Sequence, residues 1–332
     1  MQSPVRTPVK PPVITPLTEE EALGRPLWSV MIPAYNCGGF LAETIQSVLQ
    51  QAPAPEHMQI EVCDDASEDV DVYRLVQTVG KGRVGYFRQQ RNVGSLRNFE
   101  TCINRSRGQL VHLLHGDDQV KVGFYKAMES LFATFPEMGA AFCRYVSVDA
   151  FNQQEMISEL ERSDPGLLDN WLEKLAAKQR IQTPAMVARR SVYEHLGGFY
   201  GVHYGEDWEM WTRIAAHYPT GYIPQVLAEY RKHADSISGQ YILTGQNIRD
   251  LKQVMHTISG HFNGAQWAPI ERQAKRFYAE YAIQTARKIW GRYHNKRGTS
   301  NQIREALTLS THRQILVQAA KLYVKMWAGV KR

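Results

Sequence analysis

Short apolar runs alternate with amphipathic segments through the first two thirds of the chain, and polar residues follow the runs. Four compact runs predict buried strands: Leu27–Ile32, Ile60–Cys63, Val84–Phe87 and Leu110–Leu114. The segments between them repeat apolar residues at helical spacing. Strands that alternate with helices predict βαβ units, so the expected fold class is α/β with a mainly parallel sheet.

The same pattern divides the chain into three predicted regions. Residues 1–26 are rich in proline and lack periodicity, which predicts a mostly disordered arm. Residues 27–239 hold the alternating strands and helices of one α/β domain. Residues 240–332 show helical periodicity only, with one amphipathic face formed by Ala274, Phe277, Tyr278, Tyr281, Ala282, Thr285 and Ile289.

Composition and charge narrow the class of protein. The 332 residues are 43% hydrophobic and 22% charged, as in ordinary soluble domains, and no apolar run is long enough to span a bilayer. The first thirty residues lack an apolar signal core, and the four cysteines have no metal-ligand spacing, which together favour a cytoplasmic protein. Residues 240–332 carry 16 Lys and Arg against 4 Asp and Glu, whereas residues 1–239 carry 23 against 29. A basic tail of this kind favours an anionic membrane surface over nucleic acid, for which no binding module is present.

Acidic residues follow the predicted strands at the edge where a parallel sheet binds ligands. Asp65 follows the second strand, and Asp117 and Asp118 follow the fourth. Paired carboxylates there suit a hard divalent cation and a diphosphate. A separate carboxylate, Asp207, opens a helix beside Trp208 and suits a general base, although helix capping is the simpler alternative.

Nine motifs in order resemble the family 2 glycosyltransferases of the GT-A fold. They are Ser29–Asn36, Asp64–Ser67, Asn92–Gly94, Arg97–Asn98, His115–Asp118, Arg189–Ser191, Gly197–Phe199, Gly205–Trp208 and Tyr230–His233. The resemblance covers roughly residues 29–238 and makes residues 27–239 the expected catalytic domain. It implies an inverting enzyme that moves a sugar, from a UDP-sugar before a GDP- or dTDP-sugar, to a hydroxyl acceptor in cell-surface polysaccharide, glycolipid or glycan synthesis.

The resemblance also implies roles for individual residues. Donor contacts are expected from Pro33, Tyr35, Asn36, Asp65, Arg97 and Asp117, acceptor contacts from Glu206 and Trp208, base catalysis from Asp207, and Mn²⁺ or Mg²⁺ ligation from Asp118 and His233. His115 departs from the family, which often has aspartate there, and a packed loop histidine is the alternative to a ligand. Arg97 is alternatively a surface arginine of its helix, and His233 a histidine at a strand end.

The sequence leaves two other functions as alternatives, a nucleotidyltransferase and a non-catalytic scaffold. A sugar-phosphate nucleotidyltransferase would need a basic glycine-rich loop after the first strand, and residues 34–39 contain no basic residue. A non-catalytic carbohydrate-binding scaffold would not need Asp65, Asp118 and Asp207. The last helix, within residues 313–332, suits burial in the fold, a homodimer, or a seat on an anionic membrane, where a lipid-linked acceptor would lie. The predicted location is cytoplasmic, and the membrane alternative for the last helix would add peripheral contact at the inner membrane face.

Overall fold

The structure, a computed structural model, describes residues 6–233 and 237–329. These residues form two compact units. The first comprises Met1–Trp171, Arg180–Gly201 and Arg213–Lys232, and the second Leu172–Gln179, Val202–Thr212 and His233–Arg332, each within the described ranges. The division differs from the predicted boundary at residues 239 and 240. Leu172–Gln179 and Val202–Thr212 of the predicted catalytic domain belong to the second unit, and so does its end from His233 onward.

The first unit holds a sheet that has ten strands in the described part of the chain. They are β1 (Trp28–Ala34), β2 (Met58–Asp64), β3 (Gly85–Arg88), β4 (Leu110–Leu113), β5 (Gln119–Val120), β6 (Ala140–Asp149), β7 (Gln154–Ile157), β8 (Gly166–Leu167), β9 (Met186–Arg189) and β10 (Thr220–Lys232). The order is β3-β2-β1-β4-β9-β6-β10-β5, with β7 beside β6 and β8 beside β10. The α/β prediction is confirmed, but the sheet is mixed, since β9 runs antiparallel to both β4 and β6.

Helices occupy the segments between the strands and most of the second unit. They are α1 (Glu19–Ala22), α2 (Gly38–Leu49), α3 (Val72–Gly80), α4 (Ser95–Arg105), α5 (Phe124–Thr134), α6 (Trp171–Ala177), α7 (Arg190–Leu196), α8 (Glu206–His217), α9 (Ile237–Thr244), α10 (Gln246–Ser259), α11 (Gly264–Tyr293), α12 (Lys296–Leu309) and α13 (Arg313–Trp327). A 3-10 turn covers Thr183–Ala185.

The parallel half of the sheet determines where the loops meet. All seven residues of β1 are buried because β2 and β4 flank it on either side. In the register, Ala34 pairs with Asp64, and Met31 pairs with Leu113. The three strands are parallel, so their carboxyl ends lie at one edge and their loops are neighbours there.

The proline-rich arm differs from its prediction. The carbonyl of Pro8 accepts a hydrogen bond from the Gly201 N–H, and that of Pro12 accepts one from the Gly198 N–H, both at 2.9 Å. Ile14 is 1% exposed. Hydrogen bonds at Pro8 and Pro12 and the burial of Ile14 therefore hold this part of the arm within the first unit. Residues 1–5 lie outside the described range. A proline cannot donate a hydrogen bond, but its carbonyl accepts one as well as any other.

The helices of the second unit bear out the periodicity of the tail. On α11, the buried residues include Ala274, Tyr278, Ala282, Thr285 and Ile289, as the predicted face requires. The helices α12 and α13 both pack against α11. No helix within residues 6–233 and 237–329 combines the length and apolar character needed to cross a bilayer.

Candidate active site

The end of β1 and the loop after it carry the first predicted donor residues. Asn36 has a left-handed backbone, with φ of 48°, and its side-chain oxygen accepts the Glu68 N–H at 2.9 Å. Tyr35 is about half exposed, and the Pro33 carbonyl accepts the Gly116 N–H at 3.1 Å. Backbone and amide hydrogen bonds therefore tie this loop to the loops that follow β2 and β4. Contacts of Pro33, Tyr35 and Asn36 with a donor remain predictions.

Asp65 fastens the loop after β2 to the start of α4. Its two carboxylate oxygens accept backbone N–H groups from Val93, at 2.7 Å, and Gly94, at 2.9 Å. Burial raises the pKa of Asp65, while these two donors and the Arg6 guanidinium counteract the increase. Asp65 thus fixes the loop that borders its own carboxylate, and its contact with a nucleobase remains a prediction.

Arg97 lies in the first turn of α4. Its guanidinium donates to Glu100 Oε2 at 2.6 Å, one turn along the same helix. Side-chain pairs three residues apart are neighbours on a helix surface, and such a pair suits the simpler alternative for Arg97. The contact with the nucleotide remains a prediction.

Asp118 is a deeply buried carboxyl at this edge of the sheet, with a side chain 1% exposed. Its Oδ1 accepts the backbone N–H of Arg231 at 2.8 Å, whereas its Oδ2 has no hydrogen-bond partner among the described residues. Burial, together with the charge of Asp117, raises the pKa of Asp118 well above its usual range. A buried carboxylate oxygen without a partner is costly, and a cation bound there would satisfy it.

His115 and Asp117 complete a group of potential ligands around Asp118. One donor atom from each of the three residues lies within 4.8 Å of the others. Burial lowers the pKa of His115, against the charge of Asp117, which favours the neutral, metal-binding form of the imidazole. Oxygen donors from two carboxylates suit Mn²⁺ or Mg²⁺, so the residues present fit the predicted cation.

Arg231 holds this loop in place and was not predicted. The side chain is nearly buried, and its Nε donates to the Asp117 carbonyl at 2.8 Å. One terminal nitrogen donates to Glu43 Oε2 at 3.0 Å, and the guanidinium carbon lies 4.7 Å from the Phe40 ring centre. The available signal was its position in the Tyr230–His233 motif, since the basic residue two places before His233 lies at the end of β10.

His233 was predicted to bind the metal from the same motif. It follows the last residue of β10 and is assigned to the second unit, and residues 234–236 after it lie outside the described ranges. Within the described residues, the group of potential metal ligands consists of His115, Asp117 and Asp118. Ligation by His233 therefore remains a prediction.

The carboxyl pair of the second unit opens α8, directly after Gly205. Asp207 Oδ1 accepts the N–H of Trp208 at 2.7 Å, and burial raises the pKa of Asp207 to about 6. Burial is the main cause that raises the pKa of Glu206 well above its usual range, and the negative charge of Asp207 raises it further. The helix N-terminus favours the charged form, so desolvation has the larger effect here. A carboxyl with a pKa near neutrality suits a general base.

Trp208 does not fill its predicted role at the acceptor. Its side chain is 0% exposed, and its indole N–H donates to the Leu175 carbonyl at 2.7 Å. The ring also packs against Tyr278, with ring centres 5.0 Å apart. A fully buried ring with its only donor in use offers an acceptor no surface, so Trp208 anchors α8 instead. This prediction is corrected.

The predicted site residues fall into both units. Asp65, Asp117 and Asp118 belong to the first unit, whereas Glu206 and Asp207 belong to the second. The loops after β1, β2 and β4 are joined within the first unit. The convergence of Asp207 with these loops on one cavity remains a prediction.

Comparison with known proteins identifies the family. The model of glycosyl transferase family 2 matches residues 29–197, about half of the chain. The chain belongs to this family. The family's ordered motifs account for the acidic residues after β2 and β4, and glycosyl transfer is the activity that membership supports.

Solved structures show the fold of this family 2 member. Residues 1–349 of Staphylococcus aureus TarS, in complex with UDP-GlcNAc, are similar with a TM-score of 0.66 at 12% identity, over 92% of this chain and 90% of that one. A Pyrobaculum calidifontis mannosyltransferase in complex with GDP-Man and Mn²⁺ gives a TM-score of 0.53 at 17% identity, covering 98% and 91%. The GT-A prediction is confirmed.

Relatives by sequence are distant. An uncharacterized Mycobacterium tuberculosis protein is 26% identical, covering 70% of this chain and 75% of its own length. An uncharacterized Haemophilus influenzae glycosyltransferase is 24% identical over 65% and 68%. Escherichia coli chondroitin synthase is 33% identical over 28% of this chain and 13% of its own.

Proposed function

We propose that this family 2 member is an inverting, metal-dependent enzyme that transfers a sugar from a nucleotide diphosphate, UDP in preference to GDP or dTDP, to a hydroxyl acceptor. The observation that carries the proposal is the buried Asp118 Oδ2, which has no partner among the described residues and lies beside His115 and Asp117. Structural neighbours in complex with UDP-GlcNAc or with GDP-Man and Mn²⁺ support it.

On the donor side, each residue has a distinct task. Asp65 holds the loop at Val93 and Gly94 where the base would lie, and Asp117 receives the ribose hydroxyls. Asp118 holds Mn²⁺ or Mg²⁺. When bound, the cation would offset the negative charge that develops on the diphosphate.

On the acceptor side, Asp207 removes the proton of the attacking hydroxyl. The new bond forms from that oxygen to the anomeric carbon, and the bond to the diphosphate oxygen breaks with its electron pair on the leaving group. Direct displacement inverts the anomeric carbon. Glu206 holds a hydroxyl of the acceptor or of the transferred sugar, and it does so as a neutral donor because burial raises its pKa.

The acceptor class is a saccharide or a lipid-linked saccharide in cell-surface polysaccharide or glycolipid synthesis. One relative is named chondroitin synthase, and a lipid-linked acceptor would suit a cytoplasmic enzyme at the inner membrane face. On α13, the large apolar residues that stay exposed are Leu316, Val317, Tyr323, Val324 and Trp327. The same helix carries Lys321 and Lys325, and basic residues beside exposed aromatic ones favour an anionic bilayer.

A donor screen tests the reaction. The purified chain is incubated with UDP-, GDP- and dTDP-sugars, with Mn²⁺ or with EDTA, and nucleoside diphosphate release and products are followed by mass spectrometry. We expect metal-dependent turnover of one UDP-sugar. Donor binding without turnover of any sugar, with or without candidate acceptors, would contradict the proposal and favour the scaffold.

Vesicle sedimentation tests the membrane contact. We expect the chain to pellet with vesicles of 30% anionic lipid, a composition chosen as roughly cell-like. Trp327→Ala, which removes a 90% exposed indole, should weaken this binding about 3- to 10-fold, because aromatic side chains anchor at the interface. Tyr293→Ala, which removes an exposed ring from the end of α11, is the matched control. Equal binding by all three proteins would favour contact with a second copy of the chain.

A further inference from the structure

Two histidines near the end of β4 have opposite surroundings. His112 is completely buried, and both ring nitrogens have partners: Nδ1 lies 3.2 Å from the Tyr125 hydroxyl, and Nε2 lies 2.9 Å from the Pro184 carbonyl. Buried polar groups are normally paired in this way. His112 is thus fully accounted for as a core residue.

His115, three residues later, has no comparable pair of hydrogen-bond partners among the described residues. Its Nδ1 lies 3.6 Å from Asp118 Oδ2, beyond hydrogen-bond distance, and its Nε2 is buried without a partner in the described part of the chain. The ring is held by stacking instead, with its centre 5.1 Å from that of Phe99 and the planes 12° apart. Phe99 in turn packs against Phe199. Packing therefore fixes the orientation of the ring while leaving its nitrogens available.

The separation between His115 and Asp118 suits an intervening ion better than a hydrogen bond. A charge-assisted N–H···O bond would bring the two atoms to about 2.8 Å. Two donor atoms that each lie about 2.1 Å from one ion are roughly 3.0–3.5 Å apart. The observed 3.6 Å between His115 Nδ1 and Asp118 Oδ2 is close to the second arrangement. One ion bound there would satisfy Asp118 Oδ2, which has no hydrogen-bond partner among the described residues.

We propose that His115 is a ligand of the divalent cation, so that this enzyme binds its metal through a mixed nitrogen and oxygen site. The proposal rests on the proposed function, since it concerns the same cation. It goes further because it assigns a role to the residue by which this chain departs from the family's acidic motif.

A consequence of the nitrogen ligand is metal selectivity. Mg²⁺ favours oxygen donors, whereas imidazole suits the transition metals, whose affinity rises from Mn²⁺ to Co²⁺. The chain should therefore prefer Mn²⁺ and Co²⁺ over Mg²⁺ more strongly than an all-carboxylate version of the same loop. His115→Asp creates that version without changing Asp117 or Asp118.

Pulsed electron paramagnetic resonance tests the ligand directly. Mn²⁺ is added to protein labelled with ¹⁵N-histidine, first alone and then with UDP, and the nitrogen coupling to the metal is recorded. We expect histidine nitrogen coupling in the parent and in His57→Gln, which alters an exposed histidine, and one coupled nitrogen fewer in His115→Gln. His233→Gln shows separately whether the other predicted histidine ligand contributes. Bound Mn²⁺ without nitrogen coupling in the parent, or a coupling in His115→Gln that equals the parent's, would overturn the proposal.

Calorimetric competition tests the selectivity. In His115→Asp, the ratio of the Mg²⁺ dissociation constant to the Mn²⁺ dissociation constant should fall about 10-fold. An unaltered melting temperature would show that the variant is folded and that the change concerns the metal site. An unchanged ratio would contradict ligation by His115 while leaving metal-dependent transfer intact. Failure of Mn²⁺ to bind at all, even with UDP, would instead remove the proposed metal dependence and this inference with it.

Discussion

Asp118 in the first unit and Asp207 in the second are both buried carboxyls with a raised pKa, but their hydrogen-bond partners differ. Desolvation raises the pKa of both. Asp118 follows a strand in a loop, and one of its oxygens has no hydrogen-bond partner in the described residues. Asp207 opens a helix, and its oxygen accepts the N–H of the next residue, Trp208.

The difference shows how burial can serve two kinds of chemistry. A buried carboxylate can be neutralised by a bound cation or by a proton. Asp118 has His115 and Asp117 within reach as further ligands, which favours a cation. Asp207 has a pKa of about 6, which favours proton uptake near physiological pH. We therefore expect variants at the two positions to fail in different ways.

The largest effect is expected from Asp207→Asn. Removal of a general base costs about 10²- to 10⁴-fold in turnover, while the donor site in the first unit stays intact. The kcat for sugar transfer and the calorimetric affinity for UDP with Mn²⁺ measure the two properties separately. Transfer at the parental rate would show that Asp207 is not the base, and a parallel loss of UDP affinity would show that the variant affects folding or donor binding.

Asp118→Asn should show the reverse pattern. Residues that only hydrogen-bond to a metal ligand already contribute about 10- to 100-fold to metal affinity. Loss of the ligand itself should therefore weaken Mn²⁺-dependent UDP binding about 100-fold. Binding of UDP in the presence of EDTA should change little. Asp149→Asn, which alters a carboxylate at the end of β6, is the control in the same sheet. If Asp118→Asn retains parental Mn²⁺ affinity, Asp118 does not bind the cation.

The smallest effect concerns pH. Because transfer requires the Asp207 carboxylate, kcat should rise about 10-fold per pH unit below about 6 and level off above it. The folded pKa lies above the ordinary 3.8, so protonated Asp207 favours folding at low pH and this contribution is lost as pH rises through about 6. Asp207→Asn should therefore be more stable than the parent by roughly 1–3 kcal/mol at pH 8 and less so towards pH 4.

Denaturant unfolding at the two pH values measures the difference. The control is Asp169→Asn, which alters an exposed carboxylate. A stability difference between Asp207→Asn and the parent that is equal at pH 4 and pH 8 would contradict the raised pKa. A pH profile of kcat without a limb near 6 would argue against Asp207 as the titrating base.

Several features of the fold could be predicted because they depend on local pattern. The run Leu27–Ile32 is apolar throughout, and β1 is a central, fully buried strand. The buried residues of α11 repeat at the spacing that the sequence displays. The mixed sheet could not be predicted in the same way, because the direction of β9 depends on strands more than 40 residues away in sequence.

Predictions from composition were less successful where the partner lies far along the chain. The arm was expected to be mostly disordered, yet Pro8 and Pro12 accept hydrogen bonds from residues near position 200. Trp208 was expected at the acceptor and is instead buried beside Tyr278. A tryptophan that follows two acidic residues looks the same in the sequence whether it contacts an acceptor or is buried in the core. Only its burial in the tertiary structure distinguishes the two roles.

The sequence by itself determined the α/β class, the family and the placing of Asp65, Asp117 and Asp118 after strands, since these follow from short-range periodicity and ordered motifs. Only the tertiary structure decided that His112 is satisfied and His115 is not, and that Arg231 supports the Asp117–Asp118 loop. The physical reason is that a buried polar atom is defined by its partners, and Arg231 lies 114 positions from the carbonyl it binds.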